Sequence, residues 1–248
     1  MSPPVFMLSP ELLAEVSSGT DVEVSGDEGK HGTRSLRLRI GETVELVDGA
    51  GRRAVGSVCD LASEAFSVTV QSVADEEKVH PTLTVVQALA KGDRGESAVE
   101  MLTESGVDRI VPWSAERSIS VWKADRRERG LRRWRSTARA ASKQARRSWL
   151  PEVADLHSTR EVIELFGTQT QVFVLHENAP EPLARTPLSD TDEILLIVGP
   201  EGGVTDAEVD SFVSAGAQLV RLGDSVLRTS TAGVAAVSVV AARSGRWG

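Results

Sequence analysis

The sequence predicts a two-domain α/β protein, with a small β-barrel followed by a parallel sheet covered by helices. About the first 75 residues contain short apolar runs separated by Gly-rich turns, which is typical of a small barrel. From residue 82 onward, apolar strands alternate with segments of helical periodicity, a pattern typical of a parallel sheet buried on both faces. The charged stretch Ala74–Pro81 lies between these regions, so we predict domains at residues 1–75 and 82–248.

Four short strands are predicted in the barrel. Val5–Leu8 is an apolar run, and Thr43–Val47 and Ala54–Val58 flank a Gly-rich hairpin turn at residues 48–51. Phe66–Val70 alternates apolar and polar residues, as a half-buried strand does.

The second domain alternates strands with helices. Its predicted strands are Thr82–Leu89, Arg109–Val111, Gln171–Leu175, Ile194–Val198 and Gln218–Leu222. Capping boxes predict that helices begin after Asp93, Ser158 and Thr205. Two further helices are predicted at residues 125–147 and Thr229–Arg243.

Basic residues are concentrated in one segment of an acidic chain. The net charge of the 248 residues is −8, but residues 117–147 hold 12 Lys or Arg and two acidic residues, a local charge of +10 that leaves −18 elsewhere. Four of the five tryptophans lie in or beside this segment. Arginines among aromatic residues are typical of a polyanion-binding surface, although a solvated helix face with Trp134 in the core would show the same pattern.

Composition argues against several classes of protein. The single Cys59 excludes an intrachain disulfide framework, and four scattered histidines leave no cluster typical of structural zinc. No apolar run reaches the roughly 18–20 residues of a membrane helix. The chain also begins without the basic residues of a signal peptide. We therefore expect a cytoplasmic protein with neither a metal nor a membrane as partner.

Three loops after predicted strands are candidates for a ligand site. Ligands of parallel sheets bind beyond the carboxyl ends of the strands, which here are followed by residues 175–178, 199–203 and 222–232. Gly202 and Gly203 allow a flat ligand to approach the backbone closely. The chain lacks the glycine motifs of Rossmann and P-loop nucleotide sites.

At these loops the sequence resembles the RsmE family, the small-subunit (16S) rRNA uridine-N3 methyltransferases of the SPOUT superfamily. The segments IVGPEGGVTDAEV and LGDSVLRTSTA carry the resemblance most specifically. Weaker matches are His31 with Leu36-Arg37 and Gly41, Lys91-Gly92-Asp93-Arg94, Glu104-Ser105-Gly106-Val107, Glu116-Arg117-Ser118, Trp134, Gln144, Arg147 and Pro151-Glu152-Val153. The resemblance covers about residues 30–243 and departs at the start, where Pro4-Val5-Phe6 replaces an Arg-Phe-rich strand.

The resemblance implies a PUA-like N-terminal barrel, a SPOUT-type domain with a C-terminal trefoil knot, and S-adenosylmethionine as cofactor. It also implies a homodimer, with the last helix and its small residues Ala232, Gly233, Ala235, Ala236 and Val239 in the interface. The implied cofactor-binding residues are Leu175, His176, Glu177, Val198, Gly199, Pro200, Glu201, Gly202, Gly203, Leu222, Gly223, Leu227, Thr229 and Ala232. We expect His176 and Glu177 to border the ribose or methionine part.

The implied partner is small-subunit rRNA within the assembled 30S subunit. The predicted RNA-binding residues are Arg37, Lys91, Arg94, Arg132, Arg133, Arg135, Gln144 and Arg147. We expect Arg228 or Arg117 to stabilise the uracil anion, because a nearby cation favours loss of the N3 proton. Glu201 is expected to pair with Arg228 and to join two loops, a structural rather than a catalytic role.

Two alternatives remain open from the sequence. The chain could be a non-catalytic RNA-binding factor in ribosome assembly, or a SPOUT methyltransferase that acts on tRNA. The basic helix does not discriminate between RNA substrates, because phosphate contacts carry no sequence information.

Overall fold

The structure, a computed structural model, describes residues 2–123 and 125–248. These residues form two units. The first comprises the chain up to Lys78 together with Ser142–Leu150, and the second comprises Val79–Ala141 and Pro151–Gly248. The first unit thus ends inside the predicted boundary region, but it also contains a segment that the sequence pattern placed in the second domain.

Side-chain contacts explain why Ser142–Leu150 belongs to the first unit. The Arg53 guanidinium donates to the Arg146 carbonyl oxygen (2.9 Å), and Arg146 in turn forms an ion pair with Glu45. The Trp149 indole donates to the Glu76 carbonyl oxygen (2.9 Å). No local sequence pattern predicts these contacts, because the partners lie far apart along the chain.

The first unit is built on a five-stranded sheet of order β1-β3-β4-β5-β2. Its strands are β1 (Val5–Met7), β2 (Asp21–Val24), β3 (Thr43–Val47), β4 (Arg52–Leu61) and β5 (Phe66–Asp75). Its helices are α1 (Pro10–Ala14) and α2 (Gly26–Lys30), and α2 continues into a π-helical turn at His31–Leu36. Over the described residues β1 and β2 are the two edges, so the sheet is a half-barrel and its closure stays a prediction.

The second unit contains a six-stranded parallel sheet of order β11-β9-β10-β6-β7-β8. The strands are β6 (Thr82–Ala88), β7 (Arg109–Trp113), β8 (Glu152–Val153), β9 (Thr170–Leu175), β10 (Glu193–Val198) and β11 (Gln218–Val220). The helices are α3 (Arg94–Glu104), α4 (Asp125–Gln144), α5 (Thr159–Ile163), α6 (Asp206–Ser214) and α7 (Thr229–Arg243). The predicted α/β class with a parallel sheet is confirmed.

Helices cover both faces of this sheet. Leu83 of β6 and Leu196 of β10 belong to a buried cluster with residues of α3, α4 and α7. Val86 and Ile197, from the same strands, belong to a second cluster with residues of α5 and α6. Because side chains alternate along a strand, both faces of each central strand are apolar and buried.

Two of the three predicted capping boxes are confirmed, those of Ser158 and Thr205. The box at Asp93 is wrong: α3 does begin at Arg94, but Asp93 has φ −89° and ψ 2° and its side chain makes no capping hydrogen bond. A capping side chain normally sits on extended backbone, which Asp93 does not have.

The basic helix is shorter than predicted. It ends at Gln144, and Arg146 adopts a left-handed conformation with φ 58°. That geometry cannot continue a right-handed helix. Among the described residues, no helix combines the length and apolar character needed to cross a membrane.

Candidate functional site

A cavity of about 440 Å³ lies beyond the carboxyl ends of β9 and β10 in the second unit. Its lining residues are Arg94, Leu175, His176, Glu177, Val198, Gly199, Pro200, Glu201, Gly203, Val204, Val226, Leu227, Arg228, Thr229 and Ala232. Small-molecule sites typically measure about 300–1,000 Å³. The three loops singled out in the sequence therefore meet around one cavity of ligand size.

Most of the predicted cofactor residues line this cavity. Gly202, Leu222 and Gly223 are the three that stand outside the lining found among the described residues. Leu222 packs, half-buried, against the main core cluster, and Gly223 is exposed. The cofactor-binding role of the lining residues stays a prediction.

Gly202 packs against Arg117 and does not line the cavity. A Cβ at this position would lie 3.0 Å from Cβ of Arg117 and 3.2 Å from its carbonyl oxygen. The Arg117 guanidinium also donates to the Gly202 carbonyl oxygen (3.3 Å). The glycine therefore permits two backbone segments to approach each other, and Arg117 is outside the cavity lining among the described residues.

Glu201 pairs with Arg94 and not, as expected, with Arg228. Its Oε1 accepts from Arg94 Nη1 and from the Lys91 N–H, each at 3.0 Å. Arg94 follows β6, which pairs directly with β10, and this neighbouring strand supplies the nearest cation. Within the described chain, no ion pair joins Glu201 to Arg228, which lines the cavity with its guanidinium exposed.

These contacts keep Glu201 ionised. Partial burial tends to raise the pKa of its carboxyl group, but the Glu201 and Lys91 backbone N–H groups and the Arg94 guanidinium outweigh that effect. The pKa of Glu201 therefore lies below its ordinary value, and the carboxylate anchors the loop after β6 to the loop after β10.

A buried hydrogen-bond chain sits beneath the cavity. Thr229 Oγ1 donates to the Gly199 carbonyl oxygen (2.8 Å) and accepts from Gln87 Nε2 (3.0 Å). Gln87 lies on β6 and is fully buried. This chain ties the first residue of α7 to the loop after β10.

Sequence reasoning missed Gln87, Val204 and Val226, and it assigned Arg94 to RNA rather than to the cavity. Each of them carried a signal. Gln87 is a polar residue inside an otherwise apolar strand, and Arg94 follows a strand whose carboxyl end faces the same edge of the sheet. Val226 lies inside the candidate loop at residues 222–232, and Val204 lies inside the segment IVGPEGGVTDAEV, but neither was assigned to the cofactor.

Helix α7 packs into the core of its own chain. Ala236 is fully buried, and a Cβ on Gly233 would lie 3.2 Å from Leu102 and 3.4 Å from Val198. The expected interface role of Gly233 and Ala236 is therefore wrong, because these small residues let α7 approach the sheet and α3. Ala232, Ala235 and Val239 are half-buried, and Ala232 and Val239 also pack against this core.

The predicted RNA-binding residues are divided between the units. Arg37, Gln144 and Arg147 belong to the first unit, and Lys91, Arg94, Arg132, Arg133 and Arg135 belong to the second. Arg133 and Arg135 form ion pairs with Glu96 and Asp155, each at 3.0 Å. Arg132 is exposed on α4, and no acidic partner lies within 4 Å in the described chain.

The cavity offers both apolar and polar groups to a ligand. Among the described residues there is no group of three or more His, Cys, Asp or Glu that could hold a metal ion. The cavity combines apolar walls such as Leu175 and Leu227 with glycine-rich backbone and charged side chains at its rim.

Comparison with known proteins gives the family. A family model described as an RNA methyltransferase domain matches residues 76–241. The chain belongs to this RNA methyltransferase family. A Mycobacterium bovis member, ribosomal RNA small subunit methyltransferase E, is 39% identical over 234 residues, which is 93% of this chain and 89% of the relative. A Bacillus subtilis member with the same name is 24% identical over 91% of each chain.

Solved structures of methyltransferases match nearly the whole length of the chain. The Neisseria gonorrhoeae ribosomal RNA small subunit methyltransferase E, bound to S-adenosyl methionine, is 26% identical and matches with a TM-score of 0.87 over 98% of each chain. A Legionella pneumophila structure in complex with SAM is 25% identical and has the same TM-score and coverage.

Proposed function

We propose that this chain methylates N3 of a uridine in small-subunit ribosomal RNA, with the 30S subunit as the form of the substrate that it recognises. The coarser activity is established: the chain is an S-adenosylmethionine-dependent methyltransferase of small-subunit ribosomal RNA. The finer proposal rests on the resemblance of the segments IVGPEGGVTDAEV and LGDSVLRTSTA, and the observation that supports it is that these loops converge on one cavity with the loops after β6 and β9.

The residues around the cavity fit the methyl donor. Apolar side chains of Leu175, Val226 and Leu227 can cover the faces of an adenine ring, and the glycine-rich loop leaves its backbone groups accessible to the ring edge. His176 and Glu177 stand at the end of β9, where we place the ribose or methionine part. When bound, S-adenosylmethionine supplies an electrophilic methyl group.

The protein must then position the uracil and help its N3 proton to leave. The N3–H bond breaks, the N3–methyl bond forms, and the bond between methyl carbon and sulfur breaks, with the proton passing to a base or water. A guanidinium beside the ring favours the uracil anion. Of the two arginines predicted for this role, Arg228 lines the cavity, whereas Arg117 donates to the Gly202 carbonyl oxygen. We therefore assign the role to Arg228.

The finer architecture is part of the same proposal. We infer that the second unit carries a SPOUT-type trefoil knot, that the first unit is a PUA-like RNA-binding barrel, and that two copies form a dimer. The resemblance of the loop motifs supports these features. Small-subunit rRNA as substrate also makes the cytoplasm the place of action.

Mass mapping of methyl groups tests the reaction. Small subunits and total tRNA from cells that lack this protein are incubated with the enzyme and methyl-deuterated S-adenosylmethionine. We expect the label on N3 of one uridine of the small-subunit rRNA. Label on a ribose oxygen, on a ring carbon or on tRNA would overturn the proposal.

A variant of Arg228 tests the mechanism. Removing a group that stabilises developing charge typically lowers kcat by about 10²–10³-fold. We expect Arg228→Gln to do so and to move the pH–rate profile to higher pH, because the N3 proton is lost less readily without the cation. Arg160→Gln, an exposed change on α5, is the matched control and should leave both unchanged. An unaltered pH profile in Arg228→Gln would remove this residue from the chemistry.

A further inference from the structure

A second cavity, of about 350 Å³, lies in the second unit on the other side of the connection between β6 and α3. Its lining residues are Leu89, Ala90, Gly92, Gly95, Glu96, Ile119, Ser120, Val121, Trp122, Arg126, Arg129, Gly130, Arg133 and Trp134. The two cavities share no lining residue, but the same connection borders both: Arg94 lines the first, and Gly92 and Gly95 line the second. A molecule that fills the first cavity is therefore separated from the second by one loop.

Two tryptophans form the base of this second cavity. Trp122 and Trp134 meet edge to face, with ring centroids 5.2 Å apart and an interplanar angle of 79°. Trp134 is almost fully buried, whereas Trp122 is half-buried. One part of the Trp122 ring is thus available to a ligand.

A glycine inside α4 holds Trp122 in place. A Cβ at Gly130 would lie only 2.5 Å from the Trp122 ring, so the indole rests directly on the helix backbone. Glycine inside a helix costs about 1 kcal/mol relative to alanine. Trp122 can pack directly against the backbone of α4 only because position 130 has no side chain.

The rim of the cavity is cationic. Arg126, Arg129 and Arg133 are spaced three or four residues apart, so they lie on one face of α4. Arg133 is paired with Glu96 (3.0 Å), but within the described residues Arg126 and Arg129 have no acidic partner within 4 Å. The side chains of Ile119 and Val121 beside them are 62% and 46% exposed. Exposed apolar surface next to unneutralised guanidinium groups is the combination that an unpaired nucleotide fits.

We propose that the second cavity binds one unpaired nucleotide of the RNA substrate, a neighbour in sequence of the nucleotide that is methylated. Its base packs against Trp122, Ile119 and Val121, and its phosphate lies on Arg126 and Arg129. The loop from Lys91 to Gly95 then lies between the two nucleotides. This inference rests on RNA as the substrate and adds a second point of recognition outside the methyl-transfer cavity.

The phosphate contact is tested with a pair of single variants on α4. Binding of a single-stranded RNA that spans the methylated position is measured by fluorescence anisotropy over a range of salt concentrations. Arg129→Gln is compared with Arg127→Gln, which removes the same charge from the same helix but lies outside the second cavity and outside the predicted RNA-binding set. We expect Arg129→Gln to weaken binding more than Arg127→Gln, and to reduce the log–log salt slope by about 0.7, the value for one phosphate of a single strand. Equal losses in the two variants would overturn the proposal.

The base contact is tested by removing the base and the ring. An abasic nucleotide is placed in turn at each position flanking the methylated one, and the RNAs are bound to the unmodified protein and to Trp122→Ala. Loss of base stacking weakens binding by about fivefold or more. We expect one abasic position to have this effect on the unmodified protein and none on Trp122→Ala. If Trp122→Ala fails to fold, Trp122→Phe, which keeps a smaller aromatic ring, replaces it in this comparison.

The outcomes separate this inference from the proposed reaction. If every abasic RNA binds the unmodified protein as tightly as the intact RNA, the second cavity is not a nucleotide site, whatever the position of the methyl group. If the label falls on an atom other than uridine N3 while one abasic position still weakens binding, the reaction is wrong and the nucleotide site stands. S-adenosylmethionine affinity, measured by calorimetry, should be unchanged in Arg129→Gln and Arg127→Gln and reports that the second unit is folded.

Discussion

Replacing Thr229 by valine should destabilise the second unit and weaken cofactor binding. Valine keeps the branched shape of threonine but removes the hydroxyl group. Thr229 Oγ1 is the acceptor for Gln87 Nε2 (3.0 Å) and the donor to the Gly199 carbonyl oxygen (2.8 Å). The change therefore breaks two hydrogen bonds at once, one of them fully buried.

The loss of stability in Thr229→Val depends on how well Gln87 and the Gly199 carbonyl remain hydrogen-bonded. Gln87 is fully buried, and its Oε1 already has no partner among the described residues. Gln87 Nε2 keeps longer hydrogen bonds to the carbonyl oxygens of Ala88 (3.3 Å) and Thr229 (3.4 Å). A buried polar group left with no partner costs about 1–3 kcal/mol, so the loss of only the shortest acceptor should cost about 1–2 kcal/mol. The Gly199 carbonyl adds less, because Gly199 lines the cavity, where water can hydrogen-bond to it. For a unit of this size, each kcal/mol lowers the unfolding temperature by about 2–4 °C, so we expect a decrease of about 2–8 °C.

Calorimetric unfolding of the full chain measures this effect, with Thr231→Val as the matched control. Thr231 lies two residues further along α7, is half-buried, and donates only to the Arg228 carbonyl oxygen (3.2 Å). Its replacement should cost less than 1 kcal/mol. S-adenosylmethionine should also bind Thr229→Val more weakly than Thr231→Val, because the loop at Gly199 loses its anchor.

A double variant makes the reasoning refutable. Replacing both partners of a buried hydrogen bond with apolar groups is nearly neutral, whereas replacing one is costly. Gln87→Met combined with Thr229→Val should therefore recover most of the lost stability. The explanation fails if the double variant is less stable than Thr229→Val alone, or if Thr229→Val melts together with Thr231→Val.

Three further predictions concern other parts of the molecule. Folding lowers the pKa of Glu201, so the ionised carboxylate stabilises the protein above the ordinary carboxyl pKa, and this stabilisation is lost as pH falls through the lower pKa of the folded state. Glu201→Gln should therefore flatten the acid side of the plot of melting temperature against pH. An unchanged plot would contradict this. Gly130→Ala should lower the melting temperature despite the better helix propensity of alanine, since a Cβ would lie 2.5 Å from Trp122; a more stable variant would contradict the packing. Ala236→Trp should unfold the second unit, because Ala236 is fully buried, and a folded Ala236→Trp protein would refute this expectation. Ala235→Trp, at a half-buried position, should stay folded. If α7 forms the dimer interface, Ala235→Trp should sediment as a monomer.

Local patterns in the sequence were sufficient where the physics is local. The capping boxes at Ser158 and Thr205 depend on residues three positions apart, and both formed as predicted. The predicted box at Asp93 has Asp in place of Ser or Thr and did not form, because the backbone there is not extended. Glu96, its other predicted member, instead forms an ion pair with Arg133. A long-range ion pair thus occupies a side chain that the local pattern had assigned to a cap.

The sequence by itself determined the sheet, its buried faces and the loops that carry the site. The carboxyl ends of parallel strands lie at one edge of the sheet, and the loops that follow them begin there. The loops at His176, Gly199 and Leu227 could therefore be predicted to meet. Only the tertiary structure decided which charges lie beside one another there. Glu201 pairs with Arg94, 107 residues away, because β10 pairs with β6. Within the described residues it forms no ion pair with Arg228, although that residue is much closer along the chain. Strand order depends on the packing of whole elements rather than on any local pattern, and it is strand order that chose the partner of Glu201.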